Sequence, residues 1–303
     1  MRVVAKGLRF PEGPVAMADG SVLVVEIERQ TLSRVSPDGS VDVVAEIPGG
    51  PNGAAIGPDG RVYVPNNGGF GWMQDSFGIR PHGVPDSYKS GSIDVVDLKT
   101  GAVERLYESC NGHKLNGPND IVFDAQGGFY FTDLGKRRER SMDRGFIYWA
   151  KADGSEIREI AGGMSAPNGI GLSPDGKSLY VAETDTARLW AFEVIGPGEI
   201  RPAPWPSPQG ARIVAGLPGY NRFDSLGVSA SGAICVAGVD AGAVFEFHPD
   251  GRLLGTHWVP DTLVTNIAWG GADMRTAYVT LSHCGQLVAL DWHEPGLRLN
   301  FQD

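Results

Sequence analysis

One short pattern recurs six times along the 303 residues, and few folds accommodate it. Residues 166–192 hold the fullest copy. Pro167 precedes the pair Asn168-Gly169, which has the composition of a turn, and a short apolar run through Ile170 and Leu172 follows. A Pro174-Asp175-Gly176 hairpin then leads into Leu179-Tyr180-Val181-Ala182, and a third run ends in Leu189-Trp190-Ala191-Phe192. Three short strands joined by tight turns make a β-meander.

The other copies begin at Pro11-Glu12-Gly13, Pro51-Asn52-Gly53, Pro118-Asn119-Asp120, Phe223-Asp224-Ser225 and, more loosely, Thr265-Asn266-Ile267. A fourth strand follows another Asp-Gly turn in several copies, as after Asp38-Gly39 and Asp250-Gly251. Four strands per copy and six copies predict an all-β fold, a six-bladed β-propeller forming one domain over residues 1–303. Val3-Val4-Ala5 is expected to pair with the last blade, because an open ring leaves sheet edges exposed. Copy-to-copy spacings of 40, 67, 49, 56 and 42 mark two insertions. Residues 66–90, in blade two, carry Phe70, Trp72, Phe77, Arg80, His82 and Tyr88 and have the content of a lid. Residues 196–211 are proline-rich and expected to be an extended surface loop.

Charge narrows the function. With 26 Lys and Arg against 36 Asp and Glu, the net charge is −10, which disfavours nucleic acid and anionic membrane as partners. No apolar run is long enough to span a bilayer, and the first residues lack the apolar core of a signal peptide. Three widely spaced cysteines, Cys110, Cys235 and Cys284, suit a reducing compartment, so a cytoplasmic location is expected. The chain is expected to be a monomer or small homo-oligomer.

At the head of each copy one slot is filled by Glu12, Asn52, Asn119, Asn168, Asp224 or Asn266. The innermost strand of a propeller blade lines the central channel, so the slot aims six oxygen-bearing side chains at one axis. Asn and Asp at a turn also bond their own backbone, but that local role gives no reason for Glu12. Carboxylate and amide oxygens without His or Cys form a hard donor set, suited to Ca2+ and less so to Mg2+ or Mn2+. The expectation is a metal site in the central channel.

With these segments the chain resembles the senescence-marker-protein/gluconolactonase/luciferin-regenerating-enzyme family, six-bladed propellers with one catalytic divalent metal in the channel. The matching stretches run from Phe10-Pro11-Glu12-Gly13-Pro14 to the sixth blade. The resemblance implies a metal held by Glu12, Asn119, Asn168 and Asp224, with Ca2+ favoured and Mn2+, Mg2+, Fe2+ or Zn2+ admissible. The similar diisopropyl fluorophosphatase propellers use the same Glu, Asn, Asn, Asp set. One departure stands out. Sugar lactonases of the family often carry an Arg two residues before the slot of blade three, where this chain has Gly117. A polyhydroxy aldonolactone is therefore less expected than a more apolar or aromatic lactone.

The implied activity is hydrolysis of a small-molecule lactone, with the metal as Lewis acid and Asp224 as general base, or as nucleophile in the phosphatase-like variant. Asn52, Trp72, His82, Asn266 and His283 are the candidate substrate-binding residues, with His283 expected near Asn266. The basic stretch Lys136-Arg137-Arg138-Glu139-Arg140 reads as a solvated loop. Two alternatives stand beside the lactonase: a phosphotriesterase-like hydrolase on the same metal, and a binding scaffold without catalysis.

Overall fold

A computed structural model describes residues 1–302 as six antiparallel sheets arranged in a ring. Each blade has four strands except blade four, which has five, and two further two-stranded sheets lie outside the blades. Ring closure follows the sequence: Arg2–Lys6 pairs with Gln286–Asp291 as the outer strand of blade six. The loop over residues 196–211 is not wholly irregular, because Glu199–Arg201 adds a strand to Arg188–Gly196. Among the described residues no helix is long and apolar enough to cross a membrane.

There is no single core. Six hydrophobic clusters fill the six interfaces between neighbouring blades. The strand period of two explains how one strand serves two interfaces. In blade two, Val62 and Val64 face blade one while Tyr63 between them faces blade three. In blade three, Phe129 and Phe131 face blade two while Tyr130 faces blade four. Strands such as Val22–Glu26 are therefore buried at every residue, and the first four positions of this one read as an unbroken apolar run.

The inner strands are Pro11–Ala16, Ala55–Ile56, Pro118–Phe123, Pro167–Leu172, Arg222–Val228 and Val264–Gly270. Five of them break register with the next strand at the slot, the shifts falling at Glu12/Val15, Pro118/Ile121, Pro167/Ile170, Phe223/Leu226 and Val264/Asn266. A bulge at this place bends the strand and re-aims a side chain. The Asn168-Gly169 pair is thus part of a strand and not the turn its composition suggests. Its glycine has a packing reason: a Cβ on Gly169 would stand 2.5 Å from Leu226 N in blade five. Gly53 is likewise closed in by Asn119 O at 2.7 Å.

A second recurring polar position fastens these inner strands. At the end of the second strand in four blades, Glu26, Asn66, Asp133 and Glu183 accept backbone N–H groups of the segment that leads into the inner strand. All four are buried. Their role is structural, since each satisfies backbone donors of the segment just before the inner strand.

Candidate metal centre and its cavity

Glu12, Asn52, Asn119, Asn168 and Asp224 all line one cavity of about 810 Å³ at one end of the channel. Asn266, the sixth slot residue, is turned away from it. Its amide donates to Glu12 Oε2 at 2.7 Å, beside the Gly13 N–H that donates to the same oxygen at 2.7 Å. Asn266 thus orients Glu12 and lies outside the cavity wall.

The electrostatics are those of crowded carboxyls. Burial, followed by repulsion from Asp224, pushes the Glu12 carboxyl well above the usual carboxylate range. Asp224, deep in the ring but open to the cavity, is pushed up to about 7 by burial, with the Asn168 side chain opposing and Asp120 adding repulsion. Asp120 was not singled out in the sequence. It is buried directly after the slot of blade three and pushed up to about 7 by desolvation. Its signal was the column of small residues that it interrupts: Gly13, Gly53, Gly169 and Ser225 occupy the same place in other copies.

Two oxygens in this site lack a partner. Asn119 Oδ1 and Asn168 Oδ1 are both buried without a hydrogen bond, while Asn168 Nδ2 donates to Thr184 Oγ1 at 3.2 Å. A buried unpaired acceptor costs about 1–3 kcal/mol, and two beside a pair of repelling carboxyls call for positive charge. Glu12, Asn119, Asn168 and Asp224 therefore fit a hard divalent cation in donor type and in unmet bonding capacity.

The wall of the cavity comes in part from the blade-two insertion and in part from the blade-three stretch between Leu134 and Met142. Within the insertion Trp72–Gln74 and Ile79–Pro81 form a hairpin that reaches over blade one to blade six. There Asp75 Oδ1 lies 2.9 Å from His283 Nε2, and Ile79 N–H donates to His283 O at 3.1 Å. Phe10, Phe70, Arg80 and His82 face the cavity. Arg137, Arg138 and Arg222 also line it, each paired with a carboxylate of Asp185, Asp143 or Asp240.

Three sequence expectations change here. Trp72 does not line the cavity; its ring packs on Phe10 at 5.2 Å and Phe70 at 6.0 Å, behind the wall. His283 does not line it either, because the Asp75 pair and the Phe77 ring hold it under the hairpin. Lys136, read as solvated, is 2 % exposed. Its Nζ donates to Gly69 O at 2.7 Å and lies over the rings of Phe70 and Tyr88 at 4.6 and 4.9 Å. Desolvation lowers its pKa to about 7. The insertion folds back onto the basic stretch, a contact between residues some 67 positions apart that local composition does not announce.

Gly117 is explained by the backbone. A Cβ there would stand 2.6 Å from Gly135 O, so an arginine requires the Gly135 loop to move. Gly227 is similarly closed, with Trp269 Cζ3 2.5 Å from where its Cβ would lie.

Fold and channel together define a six-bladed propeller with an oxygen-lined site at its axis. Residues 10–283 match the SMP-30/Gluconolactonase/LRE-like family, and the chain belongs to it. It is 26 % identical over 313 residues to a gluconolactonase of Zymomonas mobilis subsp. mobilis, covering 93 % of this chain and 79 % of that one. It is 28 % identical over 284 residues to the pentonolactonase XacC of Haloferax volcanii, covering 92 % of this chain and 84 % of that one. Among solved structures, a calcium-binding protein, regucalcin, from Agrobacterium tumefaciens superposes with a TM-score of 0.73 at 21 % identity, covering 98 % and 97 % of the two chains. That last likeness concerns the fold.

Proposed function

We propose that the chain is a metal-dependent lactonase, a hydrolase that opens a small cyclic ester in the 810 Å³ cavity. Family membership supports lactone hydrolysis, as do relatives named gluconolactonase and pentonolactonase. The observation that carries the metal is the pair of unpartnered amide oxygens, Asn119 Oδ1 and Asn168 Oδ1, beside Glu12 and Asp224. These four residues would hold one divalent ion, Ca2+ being best suited to an all-oxygen set.

When bound, such an ion supplies positive charge that stabilises the oxyanion formed as a lactone carbonyl is attacked. The residues of the chain do the rest. Asp224 takes a proton from the attacking water at one carboxylate oxygen as the new C–O bond forms at the carbonyl carbon. The ring C–O bond then breaks, and the departing alkoxide takes up the proton that Asp224 holds, giving a hydroxy acid and restoring the carboxylate. Asn266 holds Glu12 in place through the 2.7 Å amide bond. Asn52 and His82 present polar groups to the substrate, and Phe10 and Phe70 exclude water.

A pH-stat assay on a panel of lactones, with and without chelator, tests this reading. Chelator-sensitive acid release from at least one lactone is expected. Turnover of phosphotriesters alone would move the chain to phosphoester chemistry, and no turnover with no bound divalent ion would leave a scaffold.

A further inference from the structure

Away from the channel, at the rim between blades five and six, three metal-ligating side chains meet. Glu246 lies on Ala243–Phe247, His257 on Leu253–Trp258, and His293 just beyond Gln286–Asp291. Glu246 is buried at 3 % exposure and offers one oxygen to each imidazole. Its Oε2 is 3.0 Å from His257 Nε2 and its Oε1 is 3.2 Å from His293 Nε2. The two rings lie 8° from parallel with centroids 6.1 Å apart, and Trp292 supports His257 at 4.2 Å. All three ligand atoms fall within 4.8 Å of one another.

Metal–ligand bonds of about 2.0–2.1 Å in a tetrahedral site set ligand atoms roughly 3.3 Å apart. Each imidazole nitrogen already lies near that distance from one Glu246 oxygen, His257 from Oε2 and His293 from Oε1, so a shared ion requires the two rings to close on it, and His293 is exposed enough to turn. The backbone also leaves room. Gly255 sits opposite Glu246 in the strand pairing, and a Cβ there would stand 3.2 Å from His257 Nε2 and 3.4 Å from Glu246 Oε2. Two imidazoles and one carboxylate select a borderline ion such as Zn2+ over Ca2+, the reverse of the channel set.

We propose that Glu246, His257 and His293 form a second metal site, for Zn2+ or a similar transition ion, with water as the fourth ligand. Its position indicates a structural clip. His293 begins the segment that runs beneath the ring: Gly296 N–H donates to Met274 O, Leu297 N–H to Val228 O, and Gln302 Nε2 to Ala16 O. An ion at the rim ties the start of this segment to blade five.

Co2+ serves as an optical stand-in for Zn2+ in a titration of the whole protein held in excess Ca2+. One strongly absorbing Co2+ equivalent is expected, as four-coordinate nitrogen-ligated Co2+ gives an intense visible band and oxygen-ligated six-coordinate Co2+ does not. His257→Ala and His293→Gln should each weaken that uptake at least about tenfold. Both should also abolish the rise in Tm produced by Zn2+ in the parent protein. Because His293 is exposed, its variant is expected to fold. Absence of the band in the parent, or an unchanged band and Tm response in both variants, would overturn the site.

Discussion

The two ends of the channel are built by the same six strands and differ completely. One end opens into a cavity of about 810 Å³ lined by Glu12, Asn52, Asn119, Asn168 and Asp224 under an aromatic and basic wall. The other narrows to about 70 Å³ among Val15, Ile56, Val122, Ile267 and Trp269, closed by Leu297 and Leu299 of the C-terminal segment. Each inner strand therefore has a polar head and an apolar tail, and in five of the six a bulge lies at the head. The tails pack against neighbouring blades and hold the heads at fixed places on the axis. The proposed metal ligands all sit at the heads of the inner strands, and the tails supply packing. Asp120 and Asn266 are the exceptions, a buried carboxyl and a buried amide that border the narrow end.

That division can be tested from both ends. The largest effect is expected at the wide end: Asp224→Asn should lower kcat on the best lactone by about a thousandfold, some 4 kcal/mol. Retention of more than about a tenth of kcat, roughly 1.4 kcal/mol, would remove Asp224 from proton transfer. Next, Asn168→Ala should weaken divalent-ion affinity at least about tenfold in calorimetric titration. An unchanged affinity would show that the unpaired Oδ1 is not a ligand.

Lys136 probes the wall of the wide end through pH. Its folded pKa is about 7, below the ordinary lysine value of 10.5. Between those values the unfolded chain binds the extra proton, so stability rises with pH. The parent protein should gain about 2 kcal/mol relative to Lys136→Met between pH 7 and pH 9 in urea melts. A gap independent of pH would mean that the ammonium is solvated. The smallest effect belongs to the narrow end. Phe301 packs edge-on against Phe123 at 5.8 Å and remains half-buried. Phe301→Ala should cost about 1–2 kcal/mol of stability and leave kcat unchanged. A fall in kcat there would break the separation of the two ends.

What could be read in advance followed from repetition. A copy recurring six times with one polar slot specifies the ring, the strand order within each blade and the axis on which the slot converges. Strand pairing is local within a meander, so Ser178–Glu183 and Arg188–Gly196 formed where their patterns indicated, while the strand expected after Asn168-Gly169 begins earlier, at Pro167. The resemblance then named Glu12, Asn119, Asn168 and Asp224, and these lie on one cavity.

The residues that depended on contacts between copies were less legible. Asn168-Gly169 has turn composition, yet its glycine exists because Leu226 of the next blade comes within 2.5 Å of the absent Cβ. Asn266 shares the slot but bonds Glu12, a choice made by the neighbouring blade. Trp72, His283 and Lys136 changed places because the blade-two insertion crosses blade one, pins His283 through Asp75 and buries Lys136 against Phe70 and Tyr88. Local sequence determines which stretches become strands and which residue heads each one, since periodicity and turn chemistry act over a few residues. Which polar group is left unpaired, and which charge loses its water, was decided only when distant segments closed over the ring.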